Sequence, residues 1–143
     1  MNRRAIEPPG GEAPPSSAWL DDDHEPLDLV ELAREICHRY REEFPDERRR
    51  YGAAGAAWCV HDNQWLLSWG AEAVAGYLDM HDEVAWLASV LEARGFPLER
   101  LCRDLEIGAE VVRKQVCGTA GDQLAAVLGD AAEFVRARGT FLN

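Results

Sequence analysis

Apolar residues recur along this chain at intervals of three and four, the period of helices packed on one side. From Asp28 the pattern is continuous. Asp28 followed three residues later by Glu31 resembles a capping box with Asp in the Ser/Thr place, and Leu29, Leu32, Ala33, Ile36, Cys37, Tyr40 and Phe44 then share one face. Pro45 ends that helix. A short charged helix is predicted over residues 46–51, broken by Gly52 and Gly55 before a long central helix over 57–77. A fourth runs over 79–94 with Met80, Val84, Leu87, Ala88 and Leu91 inward and Gly95 in the position after the cap that favours positive φ. Pro97 suits the first turn of the next, whose stripe is Leu98, Leu101, Cys102 and Leu105. Gly108 is expected to break or bend this element before Val111, Val112 and Val116. Gly118 and Gly121 flank a turn, and Leu124, Val127, Leu128, Ala131 and Val135 mark a final helix stopped at Gly139.

No alternating apolar and polar run of strand length interrupts this series, and no repeat of solenoid length is visible. The pattern therefore predicts an all-α fold, a single globular domain over residues 26–143 with roughly five to seven helices around one core. Residues 1–25 differ. Pro8, Pro9, Gly10, Gly11, Pro14, Pro15, Ser16 and Ser17 precede the acidic run Asp21, Asp22 and Asp23, a composition that buries too little apolar surface to offset its ordering entropy. This stretch reads as a disordered tail, with Trp19 and Leu20 an incidental hydrophobic pair within it.

Charge narrows the function classes. At 143 residues with a formal net charge of −11, the chain repels phosphate and lacks the basic face that nucleic-acid binding requires. Its one basic run, Arg48, Arg49 and Arg50, follows Asp46 and Glu47 and reads as a solvated helix face. Cys37, Cys59, Cys102 and Cys117 form no CxxC pair, so their spacing indicates neither a zinc site nor a redox motif. Free thiols among apolar residues predict a reducing, cytoplasmic setting. No apolar run follows Arg3 and Arg4 and none reaches the length of a span, which argues against a signal peptide and a membrane helix.

Candidate chemistry concentrates in WCVHDNQWLLSWG, from Trp58 to Gly70. Rotating each residue by about 100° places Trp58, Cys59, Trp65, Leu66, Trp69, Ala73 and Tyr77 within an arc of roughly 120°, and Asp62 falls inside it. His61 falls at the rim, with Gln64, Ser68 and Glu72. A carboxylate on an apolar face must be paired or hydrogen-bonded. Indole N–H groups, a backbone N–H at another helix start, or an Arg from another helix are the available partners. Arg94, in register with Leu87 and Leu91, is the leading candidate. No Gly-rich phosphate loop, HExxH, GxSxG or nucleophile-base triad is present, so neither catalytic nor metal-ligating residues are assigned.

The three tryptophans are core by size, and such a wall also suits a flat ligand. Trp58, Cys59, His61, Asp62, Trp65 and Trp69 are accordingly the candidate ligand-binding residues, for a tetrapyrrole (bilin, haem or cobalamin-like) or another flat hydrophobic molecule. Cys59 and His61, two apart on a helix, point about 200° from each other and argue against one joint attachment site.

The order YGxxG at Tyr51–Gly55, then Cys59, Asp62, Leu66 and Leu67 before Trp69, then Trp86, Leu87, Leu91, Arg94, Pro97 and Leu101, resembles bacterial all-helical sensory modules found alone or upstream of cobalamin-binding domains. The resemblance spans about residues 29–112. It implies a non-enzymatic sensory or regulatory module acting through protein association, as a homodimer or with a separate partner. The alternative is a small-molecule sensor using the Trp-rich helix. The sequence holds no DxHxxG segment and leaves no room for an α/β cobalamin domain, so cobalamin binding is not carried over.

Overall fold

The computed structural model describes residues 13–21 and 25–142. Among these the chain is an all-α single domain of five helices: α1 Leu29–Glu43, α2 Asp46–Val74, α3 Met80–Ala93, α4 Leu98–Gln115 and α5 Thr119–Arg138. Two two-residue strands, β1 Ser17–Ala18 and β2 Leu27–Asp28, pair antiparallel ahead of α1.

Local signals place most helix ends. The Asp28 carboxylate accepts from the Glu31 N–H at 3.0 Å and starts α1, and Asp79 does the same for α3 through the His81 N–H at 2.8 Å. At the end of α3 the Gly95 N–H donates to the Glu92 carbonyl and the Phe96 N–H to the Leu91 carbonyl, a Schellman closure around Gly95 at φ 80°. Gly52 (φ 61°) breaks the helical path of α2, as its sequence position suggests, and the two helical stretches it separates run on as one element. Gly55 does not break it. Gly108 does not break α4, which runs on through it where it packs beside Leu128 of α5 and Ile36 of α1. The central helix also ends earlier than expected, at Val74, and Tyr77 stands 83 % exposed instead of on the inner face.

The core lies among α1, α2, α4 and α5, with α3 closing one side. Leu29, Ile36, Leu67, Trp69, Leu87, Leu105, Ile107, Leu124 and Leu128 are essentially fully buried in it. Residues 1–12 and 22–24 of the expected tail lie outside the described residues. Residues 13–21 run against the helical domain: the Ser16 carbonyl accepts from the Leu29 N–H, and Gln64 Nε2 donates to the Pro15 carbonyl at 3.1 Å. This covering explains why Gln64 and Ser68, polar by type and placed at the rim by the helical rotation, are buried.

Candidate ligand cavity

Where the kinked first half of α2 leans over α1, α3 and α4, the side chains fail to meet and leave a cavity of about 250 Å³. The kink at Gly52 carries Glu47, Tyr51 and Gly55 along one edge, and the Schellman turn of α3 brings Leu91, Arg94 and Phe96 to another. Trp58, Leu66, Leu87 and Leu101 complete an apolar and aromatic wall. Tyr40, Asp62, Asn63 and Asp104 supply polar groups.

An ion network holds the edge in place. Arg100 of α4 reaches Glu47 Oε2 at 2.6 Å and Asp46 Oδ2 at 3.0 Å, with its guanidinium 4.4 Å from the Phe44 ring centroid. Tyr40 Oη donates to the same Glu47 oxygen at 3.1 Å. Burial, reinforced by the Glu47 charge, drives the Tyr40 pKa well above its usual value, so the phenol stays a donor.

The floor is an unusual polar cluster. Asn63 Nδ2 donates to Asp104 Oδ1 and to the Cys59 carbonyl, both at 3.0 Å, and lies 3.5 Å from Cys37 Sγ. Asp104 is 8 % exposed and has no cationic partner among the described residues. Burial raises its pKa to about 7 against the hydrogen bond from Asn63, with the Asp62 and Glu47 charges adding to the rise. Asp62 is raised too, mainly by burial, opposed by its hydrogen bond with His61 and by the charges of His61 and Arg94.

Three expectations change here. Cys37 and Cys59 are joined in a disulfide between α1 and α2, their Cα atoms 6.0 Å apart, instead of being free thiols. Both lie on the facing stripes of neighbouring helices, which is how separation in sequence becomes contact in space. The inference of a reducing compartment loses this support, although Cys102 and Cys117 remain free. Second, Arg94 forms no ion pair with Asp62. Its guanidinium lies over the Trp58 ring, 4.8 Å from the centroid, and acts on Asp62 only through its charge. Third, His61 and Asp62 do not face separate surroundings: His61 Nδ1 is 3.1 Å from Asp62 Oδ1, with side chains 12 % and 16 % exposed. An i, i+1 pair spans about 100°, which long side chains close at a helix edge.

Of the six candidate ligand residues, Trp58, Cys59 and Asp62 line the cavity. His61, Trp65 and Trp69 do not. Trp65 and Trp69 are packed in the core, their ring centroids 6.0 Å apart, and Trp69 meets Trp86 edge-on. Asn63, Asp104, Tyr40 and Glu47 were missed as site residues. Asp104 was accessible to the same rotation that singled out Asp62, since Leu101, Asp104, Gly108 and Val111 share a face. No group of three or more His, Cys, Asp or Glu side chains suited to a metal occurs among the described residues, and no helix there is long and apolar enough to cross a membrane. Comparison with protein-family models, curated proteins and solved structures gives no match for this chain.

Proposed function

We propose that this chain is a non-enzymatic sensory or regulatory module whose signal is a compact small molecule held in the cavity between α1, α2, α3 and α4. The observation that carries this reading is the combination of aromatic and aliphatic walls with a few convergent buried polar groups, the usual composition of a ligand pocket. Pockets for drug-sized ligands occupy roughly 300–1,000 Å³. A cavity of about 250 Å³ suits something smaller. A tetrapyrrole is therefore a poorer occupant than a compact aromatic or aliphatic molecule, and two of the three tryptophans expected to sandwich such a ring lie in the core. The kink at Gly52 offers a place where occupancy can be felt, because the segment before it is held by side-chain contacts, Arg100 of α4 and Tyr40 of α1 on Glu47 and the Phe96 ring beside Tyr51. A partner protein, or a second copy of the chain, enters as receiver of that signal on the strength of the resemblance.

The test is a thermal-shift and NMR screen of compact fragments, neutral and of both charges, on the wild type and on Leu91→Trp, which fills the cavity from α3. Binders that stabilise the wild type and not the variant support the reading, since a ligand at a hundred times its Kd adds about 2.7 kcal/mol. Absence of any stabilising fragment, or equal effects on both proteins, counts against it. Light scattering with and without a binder measures whether occupancy alters self-association.

A further inference from the structure

Resting on the reading of the cavity as a small-molecule site, we infer that its ligand is a compact organic cation: an aliphatic or arylalkyl amine whose ammonium group pairs with Asp104 and whose apolar body lies against Trp58, Tyr51 and Phe96. Asp104 sits in the wall, more than nine-tenths buried, with Oδ1 engaged by Asn63. Its Oδ2 receives no hydrogen bond from the described residues, and Asp104 is one of the residues that line the cavity. A buried carboxylate with an unused oxygen gains most from a donor that also carries positive charge.

The remaining charges select the same sign. Glu47 is already neutralised by Arg100 at 2.6 Å, and Asp62 is held by His61, so neither carboxylate needs the ligand as Asp104 does. Arg94 is the one cationic side chain among the lining residues, and it is drawn over the outer aromatic face at Trp58. An anion placed at the floor would meet the carboxylates of Asp62 and Asp104, with the Arg94 guanidinium held against the Trp58 ring and the His61 imidazole already engaged by Asp62. An amine meets a carboxylate and three aromatic rings, whose electron-rich faces attract ammonium groups. A cavity of about 250 Å³ is of the order of a compact body such as a phenylethylamine.

The experiment titrates the full chain by calorimetry at pH 8, where Asp104 is ionised, with 2-phenylethylamine, 2-phenylethanol and 3-phenylpropanoate, in the wild type, Asp104→Asn, Asp62→Asn and Leu91→Trp. The wild type is expected to prefer the amine over the alcohol by about tenfold or more, the worth of one good charged hydrogen bond, and to reject the carboxylate. Asp104→Asn should bring amine and alcohol level, Asp62→Asn should keep the preference, and Leu91→Trp should bind neither. Equal binding of amine and alcohol to the wild type, or a preference that survives Asp104→Asn, overturns the cationic ligand and leaves the cavity as a small-molecule site. If none of the three probes binds wild type, this inference falls with them. The broader reading falls only if the fragment screen is also blank.

Discussion

The two halves of α2 live in different surroundings. From Asp46 to Asp62 no residue is buried, whereas every residue from Asn63 to Ala71 is, including Asn63, Gln64 and Ser68. The second half is covered on all sides by α1, α5 and the segment through Pro15, and its aromatic residues pack as core. The first half is covered on one side only and leaves the cavity. The lesson is that the same helix supplies stability where it is surrounded and a binding surface where its covering is incomplete, and the polar cluster of Asn63 and Asp104 sits at the boundary between the two.

The difference should be widest for the tryptophans themselves. Trp69→Ala is expected to lose about 3–5 kcal/mol of stability in urea unfolding, the cost of a large core aromatic, because its side chain is fully buried. Trp58→Ala, at the half-buried edge of the cavity, should lose about 1 kcal/mol while abolishing ligand binding. Equal losses would mean that the two halves are not distinct.

Asp104 should respond to pH. Its carboxyl has a pKa of about 7 in the folded chain against an ordinary 3.8, so the native state binds more protons between these values and stability from this group falls as pH rises from about 4 to 7. Asp104→Asn removes that loss and keeps an acceptor for Asn63. The variant is expected to be more stable than the wild type at pH 8, by up to about 4 kcal/mol, with the advantage shrinking toward pH 4. Unfolding curves at the two pH values check it, and a gain that does not depend on pH would show that the carboxylate is not the cause. Such a gain is the mark of a group kept for binding at a cost in stability.

Reduction of the Cys37–Cys59 disulfide comes next. It closes a loop with a sequence separation of 22, for which chain entropy gives about 3 kcal/mol. Dithiothreitol, or the double substitution to Ala, should lower stability by that order. Because Cys59 lines the cavity and its carbonyl holds Asn63, binding of the amine probe should weaken in parallel. Smallest is Gln64→Ala, expected to lose about 1 kcal/mol with the hydrogen bond to the Pro15 carbonyl and to raise protease cleavage ahead of β2.

Much of the helical layout was legible in the sequence, because capping and helix-stop chemistry are local. Asp28, Asp79, Gly95, Pro97, Gly118 and Gly139 mark ends that depend on a few neighbouring residues, and the inward stripes of α1 and α3 are buried as their periodicity predicts. Rotation failed on the second half of α2, where residues 63–71 are covered on every side and the polar rim that it placed at Gln64 and Ser68 is buried with the rest. The site was legible in part. Trp58, Cys59 and Asp62 line the cavity, while Arg94 reaches it by stacking on Trp58 rather than by pairing with Asp62.

The sequence by itself determined that the fold is all-α, where α1 and α3 start and stop, and that at least one carboxylate lies on an apolar face. Tertiary structure alone decided which residues face one another. It joined Cys37 to Cys59, set Asn63 against Asp104 across 41 positions, and left unfilled space beside them. The physical reason is range: caps and turns act over about one helical turn, whereas a disulfide, a buried carboxylate's partner and a cavity depend on how separate helices come to rest together.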